Sequence, residues 1–169
     1  MTELLILIAL LISSNALSQN GFEDWDYKYK LIDIQELIET EREYAKKVEA
    51  DSSTAQYYVA MEAVRFLAKP TGDIRDITED KISSIKRVLL IKTGKKETIE
   101  EFVTKELELQ IGELKVWMPI QDSLLEPFAD EVDTQEEVLI YSLLTIEHHF
   151  SGGTTNSFLI SEFTDEWEY

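Results

Sequence analysis

Apolar residues in the first half of the chain recur at three- and four-residue steps, whereas from Phe102 onward they recur at every second position. Over residues 31–49 the apolar set is Leu31, Ile34, Leu37, Ile38, Tyr44, Ala45 and Val48. Charged groups fill most of the gaps, which predicts a helix with one apolar stripe. Asp51-Ser52-Ser53-Thr54 then offers capping side chains. Tyr57, Met61, Val64 and Ala68 at helical spacing predict a second helix over 55–69, ended by Pro70-Thr71-Gly72, with Phe66 on its wrong side. A third helix is expected from Thr78 through Ile82, Ile85, Val88 and Leu89 to Gly94. The solid run 88–91 suits a buried strand equally well. Residues 98–101 are read as a single turn.

In the second half, Val103, Leu107, Leu109 and Ile111 alternate with Thr104, Glu106, Glu108 and Gln110, predicting a strand with one wet face. Gly112-Glu113 is a tight-turn pair, and 114–120 (LKVWMPI) is the returning strand, placed at an edge or ended by Pro119. Asp122 or Ser123 is expected to cap a short helix reaching about Asp130, with Pro127 near its first turn. Residues 136–150 carry Val138, Ile140, Leu144 and Ile146 on one face and Leu139, Tyr141 and Leu143 on the other, the load of a central strand covered on both sides. A loop at 151–156, a hairpin partner at 157–163 and an acidic tail at 164–169 complete the chain. The predicted class is α+β: two or three N-terminal helices within about 31–92, packed on a C-terminal antiparallel β-sheet or small β-barrel within about 102–164. Residues 19–169 are expected to form one domain.

Ahead of these elements, residues 4–12 are an unbroken apolar run, followed by small residues two apart at Ala16 and Ser18. That is the layout of a signal peptide over residues 1–18 cut after Ser18, with a cut after Ala16 as the alternative. No Lys or Arg precedes the run, and Glu3 adds a negative charge, so the usual positive end rests on the α-amine. A bilayer-spanning helix needs ~20 apolar residues, which this run does not supply. Residues 19–30 (QNGFEDWDYKYK) are aperiodic and aromatic, an arm expected to dock by Phe22, Trp25, Tyr27 and Tyr29. The chain has no Cys and no Asn-x-Ser/Thr sequence. The expectation is an exported bacterial protein, periplasmic or extracellular.

Charge narrows the partners. With 16 basic and 34 acidic residues the net charge is −18, which opposes nucleic acid and anionic membranes. Every Lys and Arg lies at or before Lys115, and twelve acids follow it. Such asymmetry points to an interaction face.

Chemistry-bearing motifs are sparse. Glu147 and His149 share a strand face and, with Glu162, would be a zinc set, but the strand turning polar before its loop explains them as well. The acidic stretches at 73–76 and 130–133 lack the oxygen alternation and glycine of a calcium loop. No Cys, Gly-x-Ser-x-Gly or phosphate-cradling loop is present, so no catalytic, metal or cofactor residue is assigned and an enzyme is not expected. Trp117, beside Val116 and Met118, is expected to face the core. Trp167 and Tyr169, set among Asp165, Glu166 and Glu168, read as a docking segment for a basic groove. The functional expectation is a non-enzymatic binding protein whose acidic C-terminal third engages a basic protein, as inhibitor or adaptor. The alternative is a small-molecule or glycan-binding module of the bacterial envelope.

Overall fold

The computed structural model describes residues 23–151 and 153–165. The leader read at 1–18, Phe22 and the tail residues Glu166, Trp167, Glu168 and Tyr169 lie outside the described residues. The fold is mixed α+β. Helices α1 (Glu23–Lys28), α2 (Ile34–Ala50), α3 (Glu79–Thr93) and α4 (Asp122–Glu131) are interspersed with strands β1 (Lys30–Leu31), β2 (Tyr58–Asp76), β3 (Lys105–Ile111), β4 (Leu114–Ile120), β5 (Val138–His148) and β6 (Thr154–Thr164). The expected block of two or three N-terminal helices is interrupted by the long strand β2, while the short helix expected after Ile120 is present as α4.

The largest departure is at 55–69, where the second helix was expected and the longest strand, β2, is found. Ala60, Val64, Phe66, Ala68 and Pro70 are all buried and of one parity, so the working period is two. Glu62 interrupts that series, and Tyr57, Met61, Val64 and Ala68 imitate a helical stripe. Pairing with β5 along eleven consecutive residues outweighs that local preference. Helices α2 and α3 follow their sequence cues. Asp33 accepts from the amides of Gln35 and Glu36 at 3.0 and 3.1 Å, starting α2. Gly94, at φ 73°, closes α3 by donating its N–H to the Leu90 carbonyl at 2.9 Å. The run 88–91 is helical and one-sided, since Val88 and Leu89 are buried while Leu90 and Ile91 are half exposed.

The six strands lie in the order β1-β2-β3-β4-β6-β5, and β2 also pairs with β5. β2 serves two partners in turn, β5 over Tyr58 to Ala68 and β3 over Lys69 to Asp76, with a register irregularity between Pro70 and Ile74. Gly72 takes φ 90° at that bend, where proline has removed a ladder donor. β3 and β4 pair from Lys105–Ile120 to Ile111–Leu114 across the predicted Gly112-Glu113 turn, with Gly112 at φ 58°. β4 meets β6 in parallel at the single pair Ile120–Ile160, so the rest of β4 diverges from β6. Helix α4 bridges β4 and β5. Pro127 sits inside it rather than in its first turn, and Asp122 is not its cap: that carboxylate accepts from the Thr104 amide and hydroxyl, both at 2.9 Å. Burial of Leu124 and Phe128 holds this short helix despite the lost amide hydrogen.

β5 is buried along its whole length because each of its faces meets a different core. Its inward residues Val138, Ile140, Leu144 and Ile146 join Val64, Phe66, Leu109, Met118 and Ile160 in the main cluster. Outward, Leu143 and Leu159 pack under Ile85 and Leu89 of α3, while Leu139 and Tyr141 pack under Tyr29. The N-terminal arm therefore docks by Trp25 and Tyr29, stacked at 5.2 Å, whereas Tyr27 is 94% exposed. Burial pushes the Tyr29 hydroxyl up to about 12.

Candidate functional site

Where β4 diverges from β6, helix α2 lies across the opening and leaves a cavity of about 390 Å³. Its floor is apolar: Leu144 and Ile146 of β5 and Phe158 of β6 face Leu37 and Ile38 of α2. Two polar walls stand on either side.

The first wall is built around Glu106, whose carboxylate is fully buried on β3. The register sets Arg75 of β2 beside Glu106 and Trp117 of β4 beside Glu108. Arg75 Nε donates to Glu106 Oε2 at 2.9 Å, and Lys81 of α3 pairs with the other oxygen. Lys81 Nζ also donates to the Trp117 carbonyl at 3.0 Å. The Arg75 guanidinium lies 4.1 Å from the Trp117 ring centre, a cation–π contact that fixes its plane. Two cations thus share one carboxylate, leaving a surplus positive charge, and the terminal nitrogens of Arg75 have no partner among the described residues. Lys115 lies beside them, paired with Glu108 at 2.7 Å, and its hydrogen bond holds the Glu108 carboxyl below the usual carboxylate range.

The second wall comes from α2, β5 and β6. Glu41 Oε2 accepts from Asn156 Nδ2 at 3.0 Å and lies 2.6 Å from His148 Nε2, whose ring stacks on Tyr44 at 4.2 Å. The carboxylate, an acceptor, fixes the Asn156 amide with its nitrogen toward Glu41. Asn156 Oδ1 is then left buried with no donor among the described residues. Both walls and the floor line one cavity.

Sequence reasoning reached few of these groups. Glu106 was assigned to the wet face of its strand, and its burial between Arg75 and Lys81 corrects that. Trp117 is not a core residue: Met118 is the fully buried one, and Trp117 lies on the opposite face under Arg75. No motif marked Arg75 or Lys81; the only cue was basic residues near acids of another segment, too common to single them out.

The described acids of the C-terminal third differ in exposure. Glu147 is buried and held by Arg87 Nε and Nη2 at 2.7 and 2.8 Å, and Glu162 is half-buried. Asp165 is exposed at the end of β6, and Glu126, Asp130, Glu131, Asp133, Glu136 and Glu137 are exposed around α4 and the loop after it. For the zinc set, His149 lies 3.6 Å from Glu147, but no three His, Asp or Glu side chains converge on a metal position among the described residues. No helix among the described residues is long and apolar enough to cross a membrane. No protein-family model, curated protein or solved structure matches this chain.

Proposed function

We propose that the protein is an exported, non-enzymatic binding module that holds a small molecule in the cavity under α2. In support of this reading we take the sheet to curl into a small barrel with the strand order of the oligonucleotide/oligosaccharide-binding type. β2 pairs with both β3 and β5, which joins the strands β2-β3-β4-β6-β5 end to end, β4 and β6 are parallel, and a helix joins β4 to β5. The observation that carries the reading is the cavity itself: an apolar floor with polar groups gathered on two walls is the usual composition of a small-ligand site. A net charge of −18 argues against a nucleic acid occupant. Export rests on residues 1–18, and N-terminal sequencing of secreted material should begin at Gln19. The exposed acids from Asp130 to Glu137 favour a second reading, docking of a basic protein. That complex should dissociate in a salt gradient, and indifference to salt would remove it.

The cavity reading is tested with the neutral, apolar fluorophore N-phenyl-1-naphthylamine. The wild type should bind one equivalent with enhanced emission, and Ala45→Trp, which fills the cavity from α2, should not. Equal emission with both proteins and unchanged circular dichroism would place the probe elsewhere and sink the reading.

A further inference from the structure

Resting on the cavity reading, the β3–β4 wall specifies more than a ligand of suitable size, because it presents an unmet requirement. On the β3–β4 wall the Arg75 side chain is held by two contacts, Nε on the buried Glu106 and its plane on Trp117. Its position is therefore set before any ligand arrives, and the two terminal nitrogens form a free fork. Lys81 is committed to Glu106 and the Trp117 carbonyl and, as an ammonium, retains a third N–H. Glu106 neutralises only one of these two cations. A chain so acidic overall nonetheless gathers Arg42, Arg75, Lys81 and Lys115 on the lining of this one cavity. The ligand group that satisfies this wall is an anion, and a planar carboxylate matches the fork.

Beside this wall lies an apolar floor of Leu144, Ile146 and Phe158. We infer that the cavity binds an amphipathic carboxylic acid, with its carboxylate on Arg75 and Lys81 and its apolar chain on that floor.

Displacement of N-phenyl-1-naphthylamine from the intact protein separates this inference from the reading beneath it. Decanoate should displace the probe at a concentration about tenfold or more below 1-decanol, the advantage expected of a charge-assisted hydrogen bond in a partly enclosed site. Arg75→Gln should abolish the preference of decanoate over decanol, read as the ratio of the two displacement concentrations within that variant. If the probe binds but decanol competes within about twofold of decanoate, the acid assignment is overturned and the cavity reading survives. Failure of the probe itself to bind removes the cavity reading. The ligand series on the wild type decides the matter even if a variant folds poorly.

Discussion

Replacing Arg87 by Met leaves the carboxylate of Glu147 buried beneath α3 without its principal partner. Glu147 is 1% exposed, and Arg87 engages both of its oxygens, at 2.7 and 2.8 Å. Burial pushes the Glu147 carboxyl up, but the Arg87 hydrogen bond, the Ser84 hydrogen bond and the charges of Arg87 and His149 more than reverse this and hold it below the usual carboxylate range. Removing one member of a buried pair costs ~3–5 kcal/mol. Arg87 is 48% exposed, so water screens part of the attraction, and Ser84 and His149 remain; the discounted cost is about 2 kcal/mol. For a domain of this size that lowers the melting temperature by about 4–8 °C at pH 7.5. The pH dependence follows from the direction of the shift. A depressed carboxyl contributes stability that is present above its unfolded value and lost as pH falls through its folded value. In Arg87→Met the burial effect is no longer opposed by Arg87, so the variant protonates Glu147 more readily and the gap to wild type should narrow by about pH 4. Urea denaturation followed by circular dichroism at both pH values reads this. A difference below about 0.5 kcal/mol at pH 7.5, or one that does not change with pH, would refute the assignment of this pair as a buried, stabilising contact.

Leu159 is fully buried between β6 and α3, so Leu159→Ala should cost about 3 kcal/mol in urea denaturation; a cost under about 1 kcal/mol would mean that α3 is not packed there. Gly112 sits at φ 58°, and an added Cβ would collide with the Gln35 amide that donates to the Ile111 carbonyl at 3.1 Å. Gly112→Ala should therefore cost ~1–2 kcal/mol of turn strain and speed hydrogen exchange in the first turn of α2, whereas unchanged exchange would disconnect Gln35 from that turn. Burial pushes the Glu162 carboxyl up, with Glu131 adding to it and the Phe163 amide hydrogen bond opposing it. A raised acid costs stability above its folded value and nothing below its unfolded one, so Glu162→Gln should melt higher than wild type at pH 7 and equally near pH 3. A lower melting temperature at pH 7 would reverse that reading.

The elements that were legible in the sequence are those whose neighbours along the chain settle them. The β3–β4 hairpin follows from strict alternation and one glycine at a two-residue turn, and α2 follows from its apolar stripe, whereas the run 88–91 in α3 fitted helix and strand equally. β5 announces its central position by carrying apolar groups on both faces, although the covers, α3 on one stretch and Tyr29 on another, are not named by its own residues. β2 was misread because Val64 and Ala68 belong to both a helical and an alternating series, and only its ladder with β5 decides between them. Glu106 was misread because a charged residue at an alternating position signals water unless a cation arrives from elsewhere. Its cation Arg75 comes from 31 residues away, and Glu147 meets Arg87 across 60.

By itself the sequence determined the alternation and turn of the β3–β4 hairpin, the stripe of α2 and the balance of charge, because these depend on interactions within a few residues of one another. Tertiary structure alone decided that β4 and β6 part beyond Ile120, that α2 spans the gap, and that four cations of an acidic chain line one cavity with an unpaired Asn156 opposite. Such placements depend on strand register and closure, which bring distant segments within hydrogen-bonding range and leave no mark on the local pattern of either segment.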